Sequence, residues 1–287
     1  MSFEKLYLAE REKNKRLEEE REKTHSLVKR LEEEIRKLKL SCTNSKTAKG
    51  GYNEEILVCN DLNNKLLPKA FFDILGNDTF EQGPPRTKTD ILSNEITCQI
   101  KKFKKDRFQQ LDRHWIEHVI LNIPRLEGAF QMLKNTIEIP LLPNLSHVDK
   151  TKPIQKLCTS NYSKTELDDF VTLFNQNKRA ILEYAFYGID IKTRPEFCIG
   201  VEYEKDTRKK IVLLKIVEMI KYLETLDFRI SQMKTCLSLG KDKPPITIQR
   251  KGGEKGVKSS NQLQIKITLS RIVEKVEPLA SHTFINP

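Results

Sequence analysis

The sequence predicts a mixed α and β domain behind a long amino-terminal helix, on three observations. Residues 3–40 contain neither Pro nor Gly and are dense in Glu, Lys, Arg and Leu; residues 87–102 alternate with period two; and strand-like runs return at 246–251 and 263–269, after stretches with helical signals. A breaker-free run of good helix formers predicts one helix, and period-two alternation predicts strands.

Along the amino-terminal helix, Leu17, Arg21, Thr24, Val28, Leu31, Ile35 and Leu38 alternate spacings of four and three. That is a heptad pattern, broken in its first half by Arg21 and Thr24. Val28 and Ile35 at a with Leu31 and Leu38 at d suit a parallel pair, so residues 1–42 are expected to form a coiled coil that makes a homodimer. A solvated single helix with one docking stripe is the plainer reading.

Ser41 to Gly51 is small and polar and reads as a linker, so the main domain is expected over residues 50–287. Within it a helix is predicted over 52–67, a break at Gly83-Pro84-Pro85, a hairpin over 87–102 and a helix at about 106–121. Ser163-Lys164-Thr165-Glu166 has the form of a capping box, opening a helix that Gly188 closes, and Thr207 to Leu226 contains another helical stretch.

With 51 basic and 40 acidic residues the chain carries a formal charge of +11, which suits a partner rich in phosphate. No apolar run approaches the roughly 18–20 residues that span a bilayer, and the first residues lack an apolar signal segment. An intracellular, cytoplasmic protein with no membrane partner is expected. The six cysteines are scattered without a C-x-x-C pair, so they read as reduced, mostly buried thiols.

The residues that carry chemistry lie in the predicted hairpin, with Ser93-Asn94-Glu95 as its turn. Side-chain alternation puts Ile96, Cys98 and Ile100 on one face and Thr97, Gln99 and Lys101 on the other, and the hairpin brings Asp90 beside Gln99 and Lys101. A carboxylate, an amide oxygen and an ammonium together suit metal-assisted phosphodiester hydrolysis: oxygen ligands for a hard Mg²⁺ ion and a cation for the phosphate and the attacking water. Asp90 is the expected bridging ligand, Gln99 and the carbonyl of Ile100 supply further oxygens, and Lys101 contacts phosphate and water.

An acidic residue, a short strand connection and then E/Q-x-K resembles the PD-(D/E)xK nucleases, and among them the type II restriction endonucleases. The resemblance covers roughly residues 50–102. It implies a restriction-endonuclease-like central mixed sheet flanked by helices, cleavage of double-stranded DNA with Mg²⁺, and a preceding helix with an acidic residue, here within Gly51-Tyr52-Asn53-Glu54-Glu55. Thr89 stands where the pattern has Pro, and Gln99 where it has a carboxylate, which removes a negative charge from the site. On the predicted helix Glu55 shares the side of Val58, Cys59, Leu62 and Leu66, whereas Glu54 lies nearer the edge. A carboxylate on an apolar stripe is costly unless it meets a metal or a donor, so Glu55 is assigned the supporting metal role, with Glu54 in reserve.

A second feature is the basic run Ile246 to Gly256, followed through Lys258 and Asn261 by Leu263-Gln264-Ile265-Lys266. It reads as a hairpin in which Arg250, Lys251, Lys255 and Lys258 neutralise phosphates, while Gln249, Arg250 or Asn261 reach base edges. It also resembles a carboxy-terminal QRKGG and LQ-x-K region of restriction enzymes. Gln264-Ile265-Lys266 repeats the QIK spelling and competes for the active site, though only Glu254 precedes it closely. His114-Trp115-Ile116-Glu117-His118 spells the inverted zinc-peptidase motif, with both histidines on one face of the predicted helix and no third ligand in view. Ala180 to Asp190 reads as core.

The expectation is therefore a sequence-specific, Mg²⁺-dependent endonuclease acting on duplex DNA as a homodimer. The alternative is a non-enzymatic nucleic-acid-binding protein that dimerises through its amino-terminal helix.

Overall fold

The computed structural model describes residues 46–84, 87–134, 137–139, 156–158, 162–189, 193–231, 236–251 and 262–284. The amino-terminal heptads, Glu254, Lys255, Lys258 and Asn261 lie outside them. The chain divides into two compact units, residues 1–53 and 54–287. The elements are α1 (Lys46–Asn63), α2 (Lys69–Leu75), β1 (Glu81–Gln82), β2 (Ile91–Leu92), β3 (Thr97–Phe103), β4 (Gln109–Trp115), α3 (Ile116–Asn122), α4 (Glu127–Lys134), β5 (Ile137–Ile139) and β6 (Lys156–Cys158). They continue with α5 (Lys164–Gln176), α6 (Lys178–Tyr187), β7 (Phe197–Glu204), β8 (Thr207–Lys215), α7 (Ile216–Glu224), β9 (Phe228–Ile230), β10 (Leu237–Leu239), β11 (Ile246–Arg250), β12 (Gln262–Ile267), α8 (Leu269–Val273) and β13 (Ala280–Thr283).

The fold is mixed α and β. A six-stranded sheet runs β1-β2-β3-β7-β8-β13 and a five-stranded sheet runs β4-β12-β11-β10-β9. In the first, β3 pairs with β7 in parallel and its other pairings are antiparallel, so this central sheet is mixed.

The alternation that predicts strands also explains the packing. Cys98 and Ile100 of β3, with Phe197, Ile199 and Val201 of β7, join a core with Val58 and Leu62 of α1 and Phe71 and Leu75 of α2. The opposite face contributes Phe103, Cys198, Val212 and Leu214 to a larger core, which also holds Leu263, Ile265 and Ile267 of β12, Ile246 and Ile248 of β11 and buried residues of α3 to α8. The six-stranded sheet thus lies between two apolar layers, and burying both faces is what makes residues 197–201 of β7 and 211–214 of β8 read as continuous apolar runs.

Several boundaries differ from the sequence expectation. The helix expected at about 106–121 is a strand for half its length: Gln109–Trp115 pairs antiparallel with β12, and only Ile116–Asn122 is helical. The inverted zinc motif therefore straddles two elements, and its histidines do not share a helix face. The first helix begins at Lys46, inside the stretch expected as a linker, and ends at Asn63 rather than 67. Ser163 does close a capping box with Glu166, but the helix it opens stops at Gln176; Asn177 interrupts before α6, which Gly188 ends in a left-handed conformation at φ +68°. Among the described residues no helix is long and apolar enough to cross a membrane.

Candidate active site

The site is built on the β2–β3 hairpin. Ile91 faces Cys98 and Leu92 faces Thr97, and the Ser93 N–H donates to the Ile96 carbonyl at 2.8 Å to close the turn. One step before β2, the Asp90 N–H donates to the Cys98 carbonyl at 2.9 Å, while the Asp90 carbonyl is taken by the Gly83 N–H, also at 2.9 Å. The ladder is then continued by a side chain: the Ile100 N–H donates to Asp90 Oδ2 at 2.6 Å. That bond aims the carboxylate along β3, where Lys101 Nζ lies 3.8 Å from the same oxygen.

Gly83 permits this arrangement, because a Cβ there would stand 2.1 Å from the Thr89 carbonyl oxygen. Thr89, in the position where Pro was expected by resemblance, donates its hydroxyl to the Thr193 carbonyl at 2.7 Å. Proline has no hydroxyl with which to make that tie, so the departure has a local structural use.

Gln99 is buried, and its amide oxygen meets no donor. A buried acceptor left in that state is costly in a finished core but suits an oxygen kept for a cation. Glu55 closes the group from α1. Burial first, and then the charge of Asp90, push its carboxyl up to about 7, against the opposing pull of Lys101. Burial likewise pushes Asp90 up, opposed by Lys101, the Ile100 N–H and Lys88. Two carboxylates that repel and an ammonium that relieves them lie together, and the orphaned Gln99 oxygen is on the same strand as Lys101. Among the described residues no three His, Cys, Asp or Glu side chains gather as a metal cage. A cation here needs neutral oxygens as well, which Gln99 and the Ile100 carbonyl can offer.

Glu54 does not join the group. Its carboxylate accepts from the Tyr203 hydroxyl at 2.6 Å and from Arg208 Nη2 at 2.5 Å. The competing Gln264 is also otherwise engaged: its amide oxygen accepts from Gln249 Nε2 at 3.1 Å, in the five-stranded sheet.

Lys88 was not singled out from the sequence, although a residue two before Asp90 in an extended segment falls on the same side. Its ammonium donates to Asp112 Oδ1 at 2.7 Å and to the Leu111 carbonyl at 3.2 Å. Burial pushes it down, opposed chiefly by Asp112. Asp112 also lies 3.0 Å from His114 Nε2, and although burial works to raise its pKa, His114 and Lys88 together hold it low. The rings of His114 and His118 stack, with centroids 5.3 Å apart, and His118 Nδ1 lies 3.4 Å from the Tyr184 hydroxyl. One nitrogen of each ring thus has a partner outside any zinc site, and the two face each other as rings rather than as converging ligands.

The strands of the basic hairpin are in place. Gln249 faces Gln264, Arg250 faces Leu263, and the Lys251 N–H donates to the Gln262 carbonyl at 2.8 Å. Consecutive strand residues point to opposite faces, so Gln249 lies with Gln264 on the face away from the core while Arg250 lies on the side of Leu263.

A mixed sheet flanked by helices thus carries Asp90, Gln99 and Lys101 on one hairpin. A family profile of the R.HinP1I restriction endonuclease matches residues 89–273, and the chain belongs to that family. Among solved structures, the restriction endonuclease MspI in complex with its cognate DNA is similar at a TM-score of 0.40 and 10% identity, over 72% of this chain and 77% of that one. No curated protein matches the chain.

Proposed function

We propose that this restriction endonuclease is of type II, cutting duplex DNA at a specific sequence with Mg²⁺. The observation that carries this reading is the placement of Asp90, pinned by the Ile100 N–H, beside Lys101 and Glu55, with the Gln99 amide oxygen buried and unpartnered. Asp90, Glu55, Gln99 and the Ile100 carbonyl would hold the ion. When bound, it supplies positive charge to the scissile phosphate and makes water a better nucleophile at neutral pH. Lys101 balances the two carboxylates and offers N–H donors to a phosphate oxygen or to the attacking water. Asp90 holds Lys101 in that position, and the bond from Ile100 keeps the Asp90 carboxylate from rotating away. The basic hairpin supplies DNA affinity through Arg250, Lys251, Lys255 and Lys258, and Gln249, Arg250 and Asn261 are the candidates for base contacts.

The heptads of residues 1–42 would pair two copies, so that both strands of a palindromic site are cut together. Sedimentation of full-length chain against residues 43–287 tests this: pairing by the heptads predicts a weaker dimer after truncation, and an equally stable dimer places the interface elsewhere.

Incubating mixed plasmid DNA with Mg²⁺ tests the activity. Discrete fragments that vanish in chelator and with Asp90→Asn support the proposal. Binding that persists in chelator without any cleavage supports the non-enzymatic alternative.

A further inference from the structure

Glu55 can serve a cation only if α1 keeps one rotational setting, and the partners of its neighbour Glu54 fix that setting. Glu54 is only 1% exposed. Arg208 holds its Oε1 through Nη2 and, through Nη1, donates to Asp61 Oδ2 at 2.5 Å. Glu54 and Asp61 are seven residues apart, which at about 100° per residue returns within roughly 20° of the same stripe. One guanidinium therefore grips the helix at two points on one line, nearly two turns apart, and resists its rotation. Glu55 stands about 100° round from that line, so its direction is set with it. The other end of the helix is held separately, by Asn63, which donates to the Phe80 carbonyl at 2.9 Å and accepts from the Phe80 N–H at 2.8 Å.

Tyr203 extends the grip to the strand that carries Lys101. Its hydroxyl donates to Glu54, and Lys102 Nζ sits 3.7 Å from the centroid of its ring. An ammonium over the negative face of a ring is attracted to it. The chain neighbours of Glu55 and Lys101 thus meet on a single side chain, one at its hydroxyl and one at its ring. Burial and the Glu54 carboxylate push the phenol up to about 12, so it remains a donor at any ordinary pH. Apolar side chains of similar volume often stabilise a fold as well as a buried ion network does, but they lack its directional bonds.

We infer that Tyr203 and Arg208 are positioning residues for the catalytic centre, locking α1 to β3, β7 and β8 so that Glu55 and Lys101 meet Asp90 in one geometry. This rests on the reading that Asp90 and Glu55 hold a cation. Groups that orient metal ligands typically cost about 10–100-fold in metal affinity when altered.

The test titrates Mn²⁺ into the full-length chain without DNA, counting free ion by electron paramagnetic resonance, for wild type, Tyr203→Phe, Arg208→Lys and Asp90→Asn. Tyr203→Phe removes one hydroxyl and keeps the ring under Lys102, so it carries the test if Arg208→Lys fails to fold. Mn²⁺ binding about tenfold weaker in Tyr203→Phe, with duplex affinity in chelator unchanged and half-maximal cleavage shifted to correspondingly higher Mg²⁺, supports the inference. Lower thermal stability with unchanged Mn²⁺ affinity in Tyr203→Phe, while Asp90→Asn loses Mn²⁺, overturns the positioning role alone. Unchanged Mn²⁺ affinity in Asp90→Asn overturns the cation reading and the inference together.

Discussion

Lys88 and Asp112 form an ion pair at 2.7 Å with side chains only 12% and 6% exposed, and it stitches the segment before Asp90 in one sheet to β4 in the other. Removing Lys88 leaves the buried Asp112 with His114 as its remaining partner, and losing one member of a buried pair costs up to roughly 3–5 kcal/mol. Lys88→Met should therefore be strongly destabilised in urea unfolding. The double variant Lys88→Met/Asp112→Leu should recover much of that loss, and failure to recover any would mean that His114 depends on Asp112 as much as Lys88 does.

Asp90 and Lys101 should be needed for cleavage and not for folding. Asp90→Asn and Lys101→Ala are each expected to lose at least about 100-fold in cleavage rate, the scale of positioned acid, base and electrostatic groups. Circular dichroism and duplex binding should be near normal. A folded variant that cuts at the wild-type rate would refute the site.

Gln99→Glu adds a third carboxyl to the proposed ligand set, two of whose carboxyls are already raised. Without metal the variant should be less stable than wild type, and added Mn²⁺ should raise its melting temperature by more than it raises that of wild type, because binding to the folded state alone shifts unfolding. Equal shifts for the two proteins would place Gln99 outside the ligand set.

The raised Glu55 carboxyl predicts a pH dependence with a definite sign. Its folded pKa lies near 7 against an ordinary 4.5, so the folded state binds the proton more tightly than the unfolded chain. Its contribution to metal-free stability is complete below pH 4.5 and is lost as pH rises through about 7. Cation binding displaces that proton, so Mn²⁺ affinity should climb over the same window with proton release measurable by calorimetry in buffers of different ionisation enthalpy. Glu55→Gln should flatten the stability slope; an unchanged slope would assign it to another group.

Replacing Arg250 and Lys251 by Ala removes two candidate phosphate partners. If both contact phosphate, the slope of log affinity against log salt should fall by about 1.8. An unchanged slope would turn both side chains away from the DNA backbone, and relaxed sequence preference at nearly constant affinity would move Arg250 to base readout.

The parts of the site legible in the sequence are those fixed by local geometry. Asp90 and Lys101 come together because a short hairpin leaves few alternatives; helical phase misleads on α1, where Glu54, expected nearer the edge, is only 1% exposed while Leu66, expected on the apolar stripe with Glu55, is 65% exposed. The stretch from 106 to 121 misleads because Leu111, Trp115 and Val119 recur at four-residue spacing, as on a helix; pairing of Gln109–Trp115 with β12 overrides that pattern. The Asp112–His114 arrangement follows from that strand pairing and has no counterpart in a helical reading of the segment. Arg208 and Tyr203 were invisible for a different reason: about 150 residues separate them from Glu54, and only the tertiary fold joins them.

The parallel pairing of β3 with β7 also bears on when the enzyme becomes dangerous. Residues 98–103 must find residues 197–202, about a hundred positions further along the chain, before β3 has a second neighbour. Contacts of such long sequence separation form late, since the intervening loop must be closed first. On the proposed site, a ribosome-bound chain that has already displayed Asp90, Gln99 and Lys101 would therefore have no finished centre until residues 197–202 had emerged as well.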